Sequence, residues 1–325
     1  SDDQAALEAV TGAYPGATVR DGYLVVDLDD SVPSAAASAE AVEAHGTLAE
    51  ASGYSADMKK LDLDGIGYGW VDLDTMGDLA KSSGALDDSS VPLDTGNLNK
   101  LRGSLVGGIA LRSDGLQMRA LGLGLADDLV VDMGKASQVN ELPADSWLAF
   151  GLSGLPAALT KAYQDDPTLG GADESLQSMA DRYGLRLPED VARLLGNDLA
   201  FSVAGDMSAA EPSVQVRLAG ADADLLNTIA DDVLGYDSSM LDITDRGDAV
   251  TIEYGNPGGG RLGEDPRFTK AVPDMDNAYA VMFMDLQAAS KLADSPTQEK
   301  DLGYLGVSAA VDGDQVEMAA NWILE

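Results

Sequence analysis

One stretch of local grammar occurs twice in this chain, and nothing else in the sequence limits the fold so tightly. Val272-Pro273-Asp274-Met275-Asp276 leads into the apolar run Ala278 to Met284, after which Asp285-Leu286 opens an amphipathic segment reaching Leu292. Leu63-Asp64-Gly65 leads in the same way into Ile66 to Val71, then Asp72-Leu73 and an amphipathic segment to Leu79. Each spacing predicts a buried strand running into a short helix capped by aspartate. A looser third copy, LPADSWLAFGLSGLPAAL, spans 142–159.

The flanks of the two main copies match as well. Downstream, Leu302 to Val311 and Val316 to Leu324 surround Asp312-Gly313-Asp314, while Leu105 to Leu111 and Leu116 to Leu123 surround Ser113-Asp114-Gly115. An Asp-Gly between alternating apolar runs predicts a hairpin, because glycine accepts positive φ at the turn. Upstream, a helix at Asp222 to Leu234 precedes strands at Met240 to Thr244 and Ala249 to Tyr254. A helix at Asp2 to Thr11 precedes strands at Ala17 to Val19 and Tyr23 to Leu28. The second copy has further strands ahead of that point, Leu199 to Ala204 and Ser213 to Leu218, and helices are expected near 154–164, 173–184, 188–195, 222–235 and 286–294.

The pattern predicts an α+β fold of two repeated modules, each an antiparallel-rich sheet with helices packed mainly on one face. The first module, 1–135, is expected to hold only the C-terminal half of the plan, with an inserted helix at about 35–51. The second, 136–325, is expected to be complete. A half-module must expose a sheet edge, cover it with the inserted helix or complete it against another chain, so pairing at that edge is one expected partner contact.

Charge narrows the function classes. Acidic residues number 56 against 20 Lys and Arg, for a formal net charge of -36. Nucleic acid and anionic membrane surfaces are polyanions and are excluded as partners by repulsion. There is no cysteine, so disulfides, thiolate catalysis and Cys-type zinc sites are absent, and His45 is the single histidine. A Ser-His-Asp hydrolase or a histidine metal centre would have to use that residue, which lies in an Ala/Glu-rich run where a surface position is the default.

The remaining motifs favour plain structure. Asp27, Asp29, Asp30, Asp62, Asp64, Asp72 and Asp74 form clusters of the kind a hard cation such as calcium takes. The stretch from Asp62 has the opening of an EF-hand loop, but Gly65 is misplaced and the final ligand position is Leu73. Solvated turns are the favoured reading in so acidic a chain. Gly151-Leu152-Ser153-Gly154 lacks the spacing of a nucleophile elbow. Asn256-Pro257-Gly258-Gly259-Gly260-Arg261 lacks the Lys-Ser/Thr of a P-loop and reads as a loop. Trp70, Trp147 and Trp322 fall in expected strands. Met275, Met282, Met284 and Met318, among small-residue apolar strands, would suit the adaptable lining of a lipid cavity, although an ordinary packed core filled by Met is the favoured reading.

The segments LPADSWLAF (142–150), YGLRLPEDVARLLGNDLAF (183–201), PSVQVRLAGADADLL (212–226), DPRFTKAVPDMDNAYAVMFMDL (265–286) and LGYLGVSAAVDGDQVEMAANWIL (302–324) resemble, in this order and spacing, a large actinobacterial family with cyanobacterial relatives. That family is known only as a domain of unknown function whose modules open on a Leu-Pro-Ala-Asp-Thr type strand. The resemblance implies a short cytoplasmic segment, one transmembrane helix and a two-module ectodomain outside the membrane. Relative to it, the anchor and the first module's front half are expected to be missing here. It assigns no catalytic residue.

The function expected on these grounds is a non-enzymatic, extracytoplasmic, membrane-tethered binding or scaffolding ectodomain, with an envelope protein, a lipid or a small amphiphile as partner. A lipid or amphiphile carrier is the first alternative. A carboxylate-based, calcium-dependent hydrolase, which needs two carboxylates facing each other across a cleft, is the second.

Overall fold

The repeated grammar folds as a repeated ladder. The computed structural model describes residues 18–20, 23–25, 47–83, 102–125, 133–165, 178, 180–188, 190–205, 212–235, 240–292 and 302–324. The expected helix at 2–11, residues 35–46 of the inserted helix, His45, Asp27, Asp29 and Asp30 lie outside the described residues. The chain divides into two compact units, 1–60 and 61–325. In the first, β1 (Thr18–Arg20) and β2 (Tyr23–Val25) pair antiparallel. Helix α1 (Tyr54–Leu61) runs to the unit boundary.

The second unit is built on one sheet. Its strands are β3 (Gly67–Asp72), β4 (Ser104–Arg112), β5 (Gly115–Leu123), β6 (Ser146–Ser153), β7 (Asp198–Ala204), β8 (Ser213–Ala219), β9 (Leu241–Asp245), β10 (Val250–Tyr254), β11 (Ala278–Asp285), β12 (Tyr304–Asp312) and β13 (Gln315–Ile323). Between them run α2 (Leu73–Ser83), α3 (Leu155–Asp165), α4 (Val191–Leu195), α5 (Ala223–Leu234), α6 (Pro266–Ala271) and α7 (Leu286–Leu292). The eleven strands lie in the order β3-β4-β5-β13-β12-β11-β6-β7-β8-β10-β9, and every pairing is antiparallel. Strands from both sequence modules, 1–135 and 136–325, therefore share one sheet. Among the described residues no helix is long and apolar enough to cross a membrane.

The repeat holds to the single residue. Ser104 opposes Leu123 and Arg112 opposes Gly115; two hundred positions later Tyr304 opposes Ile323 and Asp312 opposes Gln315. Asp72 opposes Ser104 as Asp285 opposes Tyr304. Both aspartates then cap the following helix, Asp72 Oδ1 accepting from the Thr75 amide at 3.1 Å and Asp285 Oδ1 from the Ala288 amide at 2.9 Å. The chain enters both helices through the same bond, Leu73 N–H to the Gly103 carbonyl and Leu286 N–H to that of Gly303. Asp62 and Asp274, which lead into β3 and β11, share a left-handed backbone with φ 46.

The copies meet through β5 and β13, where Leu116 opposes Trp322, Arg119 opposes Ala319 and Gly122 opposes Val316. Arg119 and Ala319 are equivalent positions of the repeat. A local two-fold axis therefore passes between them and exchanges β3-β4-β5 with β11-β12-β13.

One face of the sheet carries Ala149, Gly151, Ala200, Ser202, Gly306 and Ala319, and small side chains let covering backbone approach closely. A Cβ on Gly306 would run into the Ala271 backbone at the end of α6, and one on Gly151 would meet Val139. Over this face Val139, Leu142, Leu262, Phe268, Val272, Val281 and Phe283 form the buried core. Phe268 meets Phe283 edge-on, with ring centroids 5.6 Å apart, and Phe283 stacks on Tyr304. A short polar row continues the same face under β7, β8 and β10, where buried Arg217 donates to Gln138 at 2.9 Å and Asp248 at 2.7 Å.

Asp198 pins this layer. Its Oδ2 accepts from the Ser137 amide at 2.8 Å, the Ser137 hydroxyl at 2.7 Å and the Gln138 amide at 3.1 Å. Burial pushes its carboxyl above the usual range, against the lowering effect of those bonds. A group raised on folding contributes stability that is full below the ordinary carboxylate pKa and is lost as pH rises through the raised value. Asp198→Asn keeps an oxygen acceptor and removes the charge. It is expected to lie within about 1 kcal/mol of wild type at neutral pH, whereas Asp198→Ala strands buried donors and costs about 2–3 kcal/mol. Urea unfolding from mildly acidic to neutral pH checks this, since wild type should lose stability relative to Asp198→Asn as pH rises. Parallel profiles would contradict it.

Candidate functional site

Two features of the 61–325 unit are built in a way that packing alone does not require. The first is a polar cleft of about 520 Å³ beside the two-fold axis, lined by Arg119, Lys135, Asp274, Asn277, Asp312 and Glu317. Arg119 stands next to the axis, opposite its equivalent Ala319. Its Nε donates to Glu317 Oε1 at 2.6 Å and its Nη1 to the Leu61 carbonyl at 3.0 Å. The bond to Glu317 raises its pKa, burial opposes this, and the charges of Glu317, Asp274 and Asp62 add to the rise. The guanidinium thus works as a counter-ion for carboxylates brought in by both copies.

The described aspartates singled out in the sequence have separate surroundings. Asp72 caps α2, also accepting from the Thr75 hydroxyl at 3.0 Å, and Asp74 accepts from the Gly103 amide at 3.1 Å. Asp62 lies in the field of Arg119, and Asp64 is exposed. Among the described residues no three of His, Cys, Asp and Glu converge as a metal ion would need. Ser153 donates to the Met133 carbonyl. The glycine-rich segment packs Gly258 against the Asp145 carboxylate, and Arg261 pairs with Glu141 at 3.2 Å.

The second feature is the face of the sheet opposite the buried core, where apolar residues line up across the strands. Residues that oppose one another across a ladder share a face, so the registers can be followed from strand to strand. Leu241 opposes Tyr254, then come Val214, Val203, Leu148, Met284, Leu305, Trp322, Leu116 and Leu111. A second row runs Ile243, Ile252, Val216, Phe201, Phe150, Met282, Val307, Ala320, Met118 and Ile109. Each row crosses ten strands without a charged side chain. At about 4.8 Å per strand each is roughly 43 Å long.

These rows are far from fully buried. Leu111 is 63% exposed, Ile109 41%, and Phe150, Met118 and Trp322 37% each; beside the rows on the same face, Met318 is 54% exposed and Leu105 45%. The exposed positions lie on β6, β13, β5 and β4, while the row residues on β7, β8, β9 and β10 are half-buried. No family model, curated protein or solved structure matches the chain.

Of the four methionines set aside as a candidate lining, Met282, Met284 and Met318 lie on this face. Met275 instead packs against the buried core on the other side. Trp322 also lies on it, held by its indole N–H donating to the Leu302 carbonyl at 2.7 Å. Leu105, Ile109, Leu111 and Met118 were not singled out from the sequence. Their signal is the alternation of large and small residues, as in Leu148, Phe150 and Leu152 against Ala149, Gly151 and Ser153. Arg119 and Glu317 had no local signal, because they are 198 positions apart.

Proposed function

We propose that this chain is a non-catalytic, extracytoplasmic binding ectodomain whose ligand is an amphiphile laid on the apolar rows of its sheet. The observation that carries the reading is the pair of uninterrupted apolar rows, which remain partly exposed where a purely structural face would be covered. Met118, Met282, Met284 and Met318 make the surface deformable, which suits flexible chains better than one rigid shape. The net charge of -36 disfavours an anionic headgroup and is compatible with neutral, zwitterionic or cationic ones. The family resemblance supports a tether to the membrane and a place outside it. The polar cleft supports a carboxylate hydrolase less well, since Glu317 in it is already engaged by Arg119 in an ion pair at 2.6 Å.

The test uses Trp322 as a built-in reporter. A lysophosphatidylcholine carrying a nitroxide on its chain should quench the tryptophan fluorescence, and Trp322→Phe should remove most of that quenching. Met318→Asp puts a charge on the same face and should weaken binding at least about tenfold, or about 1.4 kcal/mol. Fluorescence untouched by the labelled lipid, or quenching that survives both substitutions, would reject the reading.

A further inference from the structure

We infer that the polar cleft beside the two-fold axis binds a small cationic zwitterion, the class to which the basic amino acids belong. This site is independent of the amphiphile reading. Along β13, Glu317 shares the core face with buried Ala319, whereas Met318 points to the apolar side. The repeat provides an internal reference for the cleft. The tip of the β12–β13 hairpin is equivalent to that of β4–β5, so Asp312 takes the place of Arg112 and Glu317 that of Gln117. A smaller cleft of about 220 Å³ lies at the β4–β5 tip, with Arg112, Asp114, Gln117 and Lys270 in its walls. There the polar groups satisfy one another. Arg112 Nε and Nη2 donate to Gln117 Oε1 at 3.0 and 2.8 Å, and Lys270 pairs with Asp114 at 3.2 Å.

At the β12–β13 tip two changes of charge undo that closure. Asp312 and Glu317 are both anionic, so neither can donate to the other as Arg112 donates to Gln117. Glu317 turns to Arg119 instead, and that pair is neutral as a unit. Among the described residues, Asp312, Asp274 and Lys135 have no partner for a side-chain hydrogen bond or an ion pair. The cleft they share has a volume of about 520 Å³, against about 220 Å³ at the equivalent tip. Two uncompensated carboxylates and one uncompensated ammonium thus line one cavity, with the neutral amides of Asn277 and Gln315 beside them. A ligand that matches this set carries two cationic nitrogens and one carboxylate. A simple diamine would set like charge against Lys135, and a simple anion would set it against Asp274 and Asp312. The acidic surface as a whole favours the approach of a ligand with net positive charge.

Isothermal titration calorimetry of the full chain with L-lysine tests this, and one saturable site per chain is expected. Asp312→Arg reinstates the residue type of the equivalent tip, and Lys135→Ala removes the ammonium. Each should weaken lysine binding at least about tenfold. Cadaverine, which is lysine without its carboxylate, should bind the wild-type chain at least about tenfold more weakly than lysine does. Its binding should not weaken in Lys135→Ala. No saturable heat with lysine, binding that either substitution leaves unchanged, or cadaverine bound as tightly as lysine would overturn the inference. Both substituted positions are exposed, and an unchanged urea midpoint confirms that lost binding is a lost site.

Discussion

Gly303→Ala is expected to destabilise the 61–325 unit by about 3–5 kcal/mol, and Gly103→Ala by a similar amount. The two glycines are equivalent in the repeat, and each holds a left-handed backbone, φ 66 and φ 84. Each also lies against the end of the second strand of the hairpin it introduces. A Cβ on Gly303 would run into the Ile323 carbonyl oxygen, and one on Gly103 into that of Leu123. The obstacle in both cases is backbone held in a ladder, so it cannot swing aside. Gly313→Ala is the control. That residue has φ 61 in the β12–β13 turn with open space around its α-carbon, and it should cost only the left-handed penalty, about 1–2 kcal/mol. Denaturant unfolding of the three variants checks the ranking. Equal losses at Gly303 and Gly313 would show that the contact with Ile323 contributes nothing.

Arg267→Ala should produce the second large loss, about 3–5 kcal/mol. The guanidinium makes a fork with Asp265, reaches Asp285 Oδ2 at 3.3 Å, donates to the Ala144 carbonyl at 3.0 Å and lies over the Tyr304 ring. It therefore ties the LPAD turn, the start of α6 and the end of β11 into one joint. Its removal leaves two mostly buried carboxylates without their counter-ion. Arg267→Lys keeps the charge and loses the fork, so it should recover only part of the stability. The pH dependence is diagnostic. Burial works to raise the Asp265 carboxyl, but the hydrogen bonds and charge of Arg267 outweigh it, and the pKa is lowered overall. A group lowered on folding contributes stability that is present above the ordinary carboxylate pKa and is lost as pH falls through the lowered value. Wild type should accordingly lose stability relative to Arg267→Ala on acidification below the ordinary carboxylate range. A difference that is flat with pH would refute the coupling to Asp265.

Much of this architecture was legible in the sequence because its signals are local. The Asp72 and Asp285 caps, the Asp312-Gly313-Asp314 turn and the helices after β6 and β11 depend on neighbours a few residues away. Their observed bounds differ from expectation by one or two residues at most of these ends. In the first copy the turn takes Ser113 and Asp114, while Gly115 becomes the first residue of β5, where a side chain would strike the Trp322 carbonyl. The sequence could not say that β5 would pair with β13. That pairing depends on the match of two whole strands nearly two hundred residues apart, and no local preference encodes it. The apolar face was hidden for a related reason. Single strands show alternation, but only the registers show that all their large residues line up on one side. Met275 was grouped with Met318 on composition, and its placement on the opposite face follows from the turn between α6 and β11.

The place of β13 in the sheet has a consequence for how the molecule is made. It is the last described strand in sequence, yet it lies fourth in spatial order, between β5 and β12. A chain emerging residue by residue therefore carries β3–β4–β5 with the far side of the β4–β5 hairpin unsatisfied while nearly two hundred further residues are synthesised. The final strand closes the middle of the structure and not its rim. Such long-range closure is slow, because the entropy of a large loop is lost before any contact compensates it. During that interval the exposed hairpin side is the point where a folding aid, or a mistaken neighbour, would take hold.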